Sequence, residues 1–177
     1  MSEHFIRKAS YKDIEAVEKI YDKVHDAEEN NGQVTGWIRG VYPVRRTAEE
    51  AISRGDLYVL EENGTILGAA IINNNQVDVY SKEKWMYEAK DREVCVLHTL
   101  VISPDVSGKG YGRAFVKFYE THARDTGCME LRMDTNEKNT AARALYNKLG
   151  YREIVIVPTV FNGIPDVNLV LLEKHLS

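Results

Sequence analysis

The amino-acid sequence predicts a mixed α/β fold in which helices pack against one sheet. Three observations support this fold class. Stretches with apolar residues at helical spacing are interspersed with short apolar runs typical of strands. One run, Val94–Ile102, is almost continuously apolar, as expected for a central strand that is buried on both faces. In addition, Asn63-Gly64 lies between two apolar runs and predicts the tight turn of a hairpin.

The first part of the chain predicts a strand followed by two helices. The predicted bounds are Phe5–Ala9 for the strand and Tyr11–Ala27 and Ala48–Arg54 for the helices. Ser10 and Asp13 form a start signal for the first helix, because their side chains can satisfy backbone N–H groups of its first turn. Gly55 ends the second helix. The intervening stretch Gly36–Pro43 is irregular and aromatic.

The rest of the chain predicts the hairpin and then strands and helices in alternation. The predicted strands are Leu57–Leu60, Ile66–Ile72, Val94–Ile102, Met129–Met133, Tyr151–Val157 and Val167–Leu172, and the predicted helices are Gly112–Thr126 and Asn139–Leu149. The segment Val77–Lys90 is polar and mixed, and predicts a loop with a short helix. No repeat or low-complexity segment interrupts the 177 residues, so we expect a single domain over residues 1–177.

Composition and charge exclude several classes of function. The net charge of −4 argues against DNA or RNA as the main partner, because phosphate binding requires clustered basic residues. No stretch approaches the roughly 20 apolar residues of a membrane span, and the N-terminus lacks the apolar core of a signal peptide. Cys95 and Cys128 form no CxxC pair and predict reduced thiols, not a zinc site or a disulfide framework. We therefore expect a cytoplasmic protein with no metal, membrane or nucleic-acid partner.

A glycine-rich loop follows the predicted central strand and leads directly into a helix. The segment reads Val101-Ile-Ser-Pro-Asp-Val-Ser-Gly-Lys-Gly-Tyr-Gly-Arg113. Its glycines, at 108, 110 and 112, have no side chain to block an anion and can adopt positive φ, so that backbone N–H groups converge on one point. The helix adds the positive end of its dipole. Such a loop suits a pyrophosphate, and Lys109 and Arg113 either add cationic contacts or lie in solvent.

Four interpretations of this loop compete. A Walker A motif requires Ser or Thr after its Lys, but Gly110 follows Lys109, which excludes it. A Rossmann fingerprint fits poorly, because the spacing is G-x-G-x-G and the loop lies in the middle of the chain. The loop alone is compatible with both coenzyme A binding and a plain glycine-rich turn.

Two motifs together resemble the GNAT acetyltransferase family. The family's cofactor motif is an apolar strand, a Pro and then [RQ]-x-x-G-x-[GA] opening a helix. Here Leu100–Pro104 is followed by Ser107-Gly-Lys-Gly-Tyr-Gly112. The second family motif, N-x-x-A-x-x-L-Y-x-x-x-G-[FY], is matched at every fixed position by Asn139-Thr-Ala-Ala-Arg-Ala-Leu-Tyr-Asn-Lys-Leu-Gly-Tyr151. The separation of the motifs and the order of the predicted elements also match, so the resemblance covers nearly the whole chain.

The resemblance implies a fold and an activity. The implied fold is a single mixed, mostly antiparallel twisted sheet with helices on both faces. The implied activity is an N-acetyltransferase that uses acetyl-coenzyme A as cosubstrate, needs no metal and acetylates a primary amine by direct attack. The acceptor would be an amine-bearing small molecule, peptide or protein. The resemblance is also compatible with a homodimer. The alternative is a catalytically inactive module that binds or senses acyl-coenzyme A.

By the same resemblance, the cofactor site combines a strand end, the glycine loop and the second motif. The backbone of Leu100, Val101 and Ile102 would pair with the pantetheine arm. The pyrophosphate would be held by the loop residues Ser107, Gly108, Lys109, Gly110, Tyr111, Gly112 and Arg113. Asn139 would cap its helix or contact the cofactor. Ser107 departs from the usual Arg or Gln and supplies no charge, so Lys109 or Arg113 would have to compensate.

Candidate catalytic residues also follow from the motifs. Tyr146 is the candidate acid, because a phenol with a pKa near ~10 is protonated at neutral pH and can give its proton to the leaving thiolate. His98 is the candidate base for the proton of the amine, because it precedes the pantetheine segment and titrates in a suitable range. The alternatives are Glu93, Asp134 and a water chain.

Two further groups of residues carry weaker expectations. Aromatic side chains of the loops would either wall the acceptor pocket or cover the edge of the core: Tyr42, Tyr80, Trp85 and Tyr87. Three histidines in helix or tail contexts are expected at the surface: His25, His122 and His175.

Overall fold

The computed structural model describes residues 3–177. The strands of this part of the chain are β1 (His4–Lys8), β2 (Leu57–Glu62), β3 (Thr65–Asn73), β4 (Val94–Ile102), β5 (Glu130–Asn136), β6 (Arg152–Phe161) and β7 (Ile164–His175). The α-helices are α1 (Ile14–Asn31), α2 (Arg45–Arg54), α3 (Tyr111–Asp125) and α4 (Thr140–Lys148). Short 3-10 turns occupy Tyr11–Asp13, Asp78–Lys82, Asp91–Glu93 and Pro104–Val106. The predicted order of strands and helices is confirmed.

The strands form a seven-stranded sheet in the order β1-β2-β3-β4-β5-β7-β6. The pairs β1–β2, β2–β3, β5–β7 and β6–β7 are antiparallel, whereas β4 and β5 are parallel. The predicted mixed, mostly antiparallel sheet is therefore confirmed. The parallel pairing of β4 with β5 covers Val94–Leu97.

Contacts along the chain group into two compact units. The first comprises the residues up to Gly32 together with Trp37–Ile72 and His98–Phe118, and the second comprises Gln33–Gly36, Asn73–Leu97 and Tyr119–Ser177. The strand β4 and the helix α3 each begin in one unit and continue in the other. The expectation of one domain over residues 1–177 stays a prediction.

In the first unit, α1 and α2 bury their apolar faces against β2, β3 and the end of β4. The core cluster contains Val17, Ile20, Tyr21, Ala48, Ala51, Leu57, Val59, Ala69, Ile71 and Val101. The hairpin turns as predicted, with Asn63 at φ 51° and Gly64 at φ 77°, the positive values that an Asn-Gly turn adopts. The helix α2 begins at Arg45, three residues before its predicted start, because the backbone N–H of Val44 donates to Thr47 Oγ1 at 3.0 Å.

In the second unit, the strands β5 and β7 and the helix α3 contribute fully buried side chains to a core. These include Tyr119, Leu131, Met133, Leu171 and Leu172. The hydroxyl of Tyr119 donates to the carbonyl oxygens of Cys95 and Arg132 at 2.5 and 3.1 Å. Cys95 and Cys128 are both buried free thiols, and burial raises the pKa of Cys95 to about 12.

One expectation about the surface is wrong. His25, predicted to be exposed, is buried in α1 with 2% of its surface accessible. Its Nε2 lies 2.9 Å from the carbonyl oxygen of Pro43. This polar contact joins α1 to the segment Trp37–Pro43. The apolar periodicity of the α1 sequence contains no signal of it.

Candidate active site

The glycine loop lies in the first unit, between the end of β4 and the start of α3. Ser103 ends the strand, and its N–H donates to the carbonyl oxygen of Leu67 at 2.8 Å. Gly108 and Gly110 have φ of 80° and 85°, values that favour glycine. A Cβ built on either residue would meet nothing within 4 Å, so the backbone at this helix N-terminus is open to an approaching anion.

The side chains of the loop do little to close it. Ser107, Lys109 and Arg113 are all exposed. The side chain of Tyr111 is buried instead, and its hydroxyl donates to the carboxylate of Glu62 at 3.1 Å. Tyr111 therefore anchors the start of α3 to the end of β2. The groups of the loop that an anion could contact are the backbone and the exposed cationic side chains of Lys109 and Arg113.

The end of β4 packs closely on β3. A Cβ at Gly68 would lie 2.9 Å from the carbonyl oxygen of Val101 and 2.7 Å from Ile102 Cδ1, so only glycine fits there. Val101 is buried, whereas Leu100 and Ile102 are partly accessible. Close packing against Gly68 of β3 therefore fixes the position of the strand end Leu100–Ile102, which is the candidate partner of the pantetheine arm.

Thr99 is an irregularity in β4 that sequence reasoning missed. Its φ is 50°, which is uncommon for a residue other than glycine and a genuine outlier for a β-branched one. The hydroxyl groups of Thr99 and Tyr42 are hydrogen-bonded to each other. A threonine in an apolar run carries no local signal of this conformation. His98, the candidate base, directly precedes Thr99 and is partly buried.

Tyr146, the candidate acid, lies in the second unit. It is buried in α4 with 7% of its surface accessible, and its ring packs edge-on against Tyr151 with centroids 6.2 Å apart. Burial, and secondly the negative charge of Asp134, raise the pKa of Tyr146 above that of a free phenol. Tyr146 is therefore a neutral hydrogen-bond donor at every physiological pH.

Asn139 caps the same helix. Its Oδ1 accepts a hydrogen bond from the backbone N–H of Ala142 at 3.2 Å, which confirms the predicted cap. The cap uses one lone pair of Oδ1, so a contact with a cofactor could come from its second lone pair or from the amide nitrogen.

Asp134 lies on β5 near Tyr146. The hydroxyl of Tyr80 donates to its Oδ2 at 2.6 Å. Burial raises the pKa of Asp134 to about 6, although the hydrogen bond from Tyr80 acts in the opposite direction. The residue as a whole is partly accessible to solvent. Asp134 is one of the alternative bases that the sequence predicts, whereas no local sequence pattern indicates Tyr80 as its partner.

Two buried charges fix the segment that carries Tyr80. The guanidinium of Arg132 donates to Gln76 Oε1 at 2.7 Å and to the carbonyl oxygen of Tyr87 at 2.9 Å, and it lies 4.3 Å from the ring centroid of Trp85. The carboxylate of Glu173, which pairs across the strands with Arg132, accepts from the backbone N–H groups of Met86 and Tyr87. Arg132 and Glu173 therefore tie residues 76–87 to β5 and β7.

The four aromatic candidates have different surroundings. Tyr80 and Trp85 pack on each other, with centroids 5.1 Å apart, and Trp85 Nε1 donates to the carbonyl oxygen of Tyr80 at 2.9 Å. Tyr87 is exposed and stacks on His175. Tyr42 holds Thr99 in the first unit. Each of these side chains therefore has a structural contact in addition to any role in an acceptor pocket.

The candidate residues divide between the two units. The first unit contains His98, the strand end Leu100–Ile102 and the glycine loop, and the second contains Asn139 and Tyr146. Among residues 3–177, no group of three or more His, Cys, Asp or Glu side chains could hold a metal ion. Within the same residues, no helix has the length and apolar character that crossing a membrane requires.

The fold is that of known acetyltransferases, and a family model agrees. The model of the acetyltransferase (GNAT) family matches residues 30–151, which is more than half of the chain. The chain therefore belongs to the GNAT acetyltransferase family. A curated relative, an uncharacterized N-acetyltransferase of Methanocaldococcus jannaschii, is 26% identical over 100 residues. The matched stretch is 56% of this chain but 40% of that relative, so the chain spans less than half of the protein it matches.

Solved structures show the same fold at low identity. A candidate acetyltransferase from Salmonella typhimurium, solved with its cofactor acetyl-CoA, has a TM-score of 0.69 and 23% identity, and the match covers 99% of this chain and 95% of that one. An N-acetyltransferase from Staphylococcus aureus Mu50 has a TM-score of 0.72 and 20% identity, covering 99% and 100% of the two chains. A ribosomal-protein-alanine N-acetyltransferase from Brucella melitensis has a TM-score of 0.70 and 21% identity, covering 97% and 99%.

Proposed function

We propose that this protein transfers the acetyl group of acetyl-coenzyme A to a primary amine. The observation that carries the proposal is the open glycine loop, where Gly108 and Gly110 leave the N-terminus of α3 accessible to a pyrophosphate. Membership of the GNAT family supports acetyl-coenzyme A as the cosubstrate. The acceptor is an amine on a small molecule, a peptide or a protein. A cytoplasmic location is part of the same proposal, and the free thiols Cys95 and Cys128 fit a reducing compartment.

The cofactor residues have distinct proposed tasks. The backbone of Leu100–Ile102 pairs with the pantetheine arm, in the manner of an added strand. The N–H groups of Ser107–Arg113 surround the pyrophosphate, with Lys109 and Arg113 adding positive charge from solvent. Ser107 supplies a hydroxyl at a position where the family usually has a charged or amide side chain.

The proposed reaction is direct transfer. The neutral amine attacks the thioester carbonyl, so a C–N bond forms and a tetrahedral intermediate collapses with cleavage of the C–S bond. Tyr146 gives its proton to the departing thiolate, which its raised pKa permits because the phenol stays protonated. An acceptor that arrives as an ammonium ion first loses one proton to a base, for which the chain offers His98 and Asp134. On formation of the amide the nitrogen loses a second proton to solvent, and the base returns its proton to the Tyr146 phenolate.

The replacement Tyr146→Phe tests the proposal. We expect it to lower kcat for acetyl transfer by roughly 10²-fold, because general-acid catalysis typically contributes at least that much. The assay follows thiol release from acetyl-coenzyme A in the presence of a panel of primary amines. Tyr119→Phe is the matched control, since it also removes a buried hydroxyl but lies outside the proposed site.

The control separates chemistry from folding. Tyr119→Phe should lower the melting temperature and leave kcat of the folded enzyme unchanged. If no amine raises thiol release above background in the wild type although acetyl-coenzyme A still stabilises the protein, the chain is the non-catalytic acyl-coenzyme A module instead. The exposed, uncharged Ser107 is the feature that favours this second candidate.

A further inference from the structure

We propose that Tyr42 is a positioning residue for acetyl transfer, because its hydrogen bond to Thr99 sets the course of the strand end Leu100–Ile102. The inference rests on the proposed function and adds to it a residue of the segment between α1 and α2. In that function the backbone of Leu100–Ile102 pairs with the pantetheine arm, so the course of this strand end determines where the thioester lies. The role assigned to Tyr42 is indirect, since it acts through Thr99 and not by touching the thioester.

The strand β4 changes its backbone conformation at Thr99. Its parallel register with β5 covers Val94–Leu97. Two residues later, Thr99 has a φ of 50°, in the left-handed region. A residue in this region interrupts the pleat of a strand and turns the peptide that follows it. The conformation of Thr99 therefore decides the direction in which Leu100–Ile102 present their backbone N–H and C=O groups.

Thr99 needs support from its surroundings to keep this conformation. Its side chain branches at Cβ, and a β-branched residue at positive φ persists only where neighbouring groups hold it there. The close packing of Val101 against Gly68 fixes the strand after Thr99. The hydrogen bond between the hydroxyl groups of Tyr42 and Thr99 acts on the strained residue itself. Removal of the Tyr42 hydroxyl therefore releases Thr99 and leaves the packing of Val101 in place.

Tyr42 is in turn held by its own segment and by α1. Its backbone N–H donates to the carbonyl oxygen of Ile38 at 3.0 Å, and its ring lies edge-on to that of Trp37 with centroids 6.0 Å apart. The carbonyl oxygen of the next residue, Pro43, lies 2.9 Å from Nε2 of the buried His25 of α1. The hydroxyl of Tyr42 therefore reaches Thr99 from a segment that other contacts already fix, as a positioning role requires.

A second tyrosine hydroxyl lies close to Tyr42. The hydroxyl of Tyr21 on α1 is buried and has no hydrogen-bond partner among residues 3–177. Burial, and secondly the neighbouring Tyr42, raise the pKa of Tyr21. Because an unpaired buried hydroxyl lowers stability, stability alone would favour a hydrogen bond between the two tyrosines. The hydroxyl of Tyr42 instead bonds to a strained residue of β4, and arrangements of this kind are typical of functional sites.

The kinetic consequence is specific to positioning. An error of about 1 Å in the position of a reacting group lowers the rate by roughly 10²-fold. In the proposed function, the pyrophosphate is held separately by the backbone of Ser107–Arg113. Loss of the bond between Tyr42 and Thr99 should therefore lower kcat and leave KM for acetyl-coenzyme A nearly unchanged.

The test is a double-mutant cycle on the hydroxyl pair. The variants are Tyr42→Phe, Thr99→Val and the two combined, and the probes are acetyl-coenzyme A with putrescine, glycinamide and Nα-acetyl-lysine amide. We expect Tyr42→Phe and Thr99→Val each to lower kcat about tenfold or more, with KM for acetyl-coenzyme A within about twofold of the wild type. The combined variant should lose no more than either single variant, because both substitutions remove the same bond.

Three further variants separate positioning from folding. Thr99→Ser keeps the hydroxyl and should retain most of kcat. Tyr119→Phe removes a buried hydroxyl outside the proposed site and should leave kcat unchanged. The rise of the melting temperature with acetyl-coenzyme A shows that each variant is folded and binds the cosubstrate. If Thr99→Val does not fold, Thr99→Gly replaces it in the cycle, because glycine adopts a φ of 50° without strain.

The outcomes separate this inference from the proposed function. An unchanged kcat in Tyr42→Phe, or losses of kcat that multiply in the combined variant, would overturn the inference while the transfer activity stands. A raised KM at unchanged kcat in Tyr42→Phe would also overturn it, because Tyr42 would then be a binding contact. If the wild type acetylates none of the probes, the proposed function fails and this inference fails with it.

Discussion

At the scale of single residues, Asp134 illustrates a conflict between stability and function. A carboxyl group with a raised pKa is held in surroundings that disfavour its charge. The neutral form is the one that the folded protein accommodates best, yet the proposed chemistry needs the ionised form. Residues that are unfavourable for stability in this way are common at functional sites.

The stability of Asp134→Asn should therefore improve relative to the wild type as pH rises. The folded wild type keeps the proton of Asp134 up to a pKa of about 6, whereas the unfolded chain loses it near 3.8, the ordinary pKa of an aspartate. Between these values the folded state binds more protons, so the free energy of unfolding of the wild type falls with pH, by at most about 3 kcal/mol. The asparagine variant lacks this loss. Urea denaturation of both proteins from acidic to neutral pH measures the difference.

Asp13→Asn is the control of opposite sign. Arg7 lowers the pKa of Asp13, so this carboxylate stabilises the fold above the pKa of the unfolded chain, and that contribution is lost as pH falls. Its replacement should destabilise the protein at neutral pH. A difference between wild type and Asp134→Asn that does not change with pH would show that Asp134 is not perturbed.

At the scale of elements, the sequence predicts what local chemistry determines. The Asn63-Gly64 hairpin, the Asn139 cap and the glycine loop were all predictable, because each depends on residues within a few positions of one another. The contacts Tyr80–Asp134 and Tyr42–Thr99 join residues 54 and 57 positions apart. Periodicity and turn signals contain no information about such pairs. The same applies to His25, whose burial depends on Pro43 from the following segment.

The glycine loop supports a prediction at this scale. Gly110→Ala should destabilise the protein by about 1–2 kcal/mol, because an L-residue at φ 85° is strained. It should also raise KM for acetyl-coenzyme A, since the N–H groups at the start of α3 would shift. Gly127→Ala is the matched control, with φ 79° in the turn between α3 and β5 and equally open surroundings. An equal change in KM for both variants would argue that the loop does not bind the cosubstrate.

At the scale of the whole molecule, family membership and fold agree on one class of protein. The GNAT family model matches residues 30–151, and solved acetyltransferases match nearly the full chain in fold. Neither finding determines the acceptor. The net charge of −4 would favour the encounter with the proposed amine acceptor in its cationic form.

Acetyl transfer itself is tested most directly by following the acetyl group. The wild type is incubated with isotope-labelled acetyl-coenzyme A and the panel of primary amines, and the amine fraction is analysed by mass spectrometry with Tyr146→Phe and Tyr119→Phe in parallel. The account predicts a labelled amide with wild type and Tyr119→Phe, and a strongly reduced yield with Tyr146→Phe. An equal yield of labelled amide from Tyr146→Phe, or no labelled amide from a wild type that binds acetyl-coenzyme A, would contradict it.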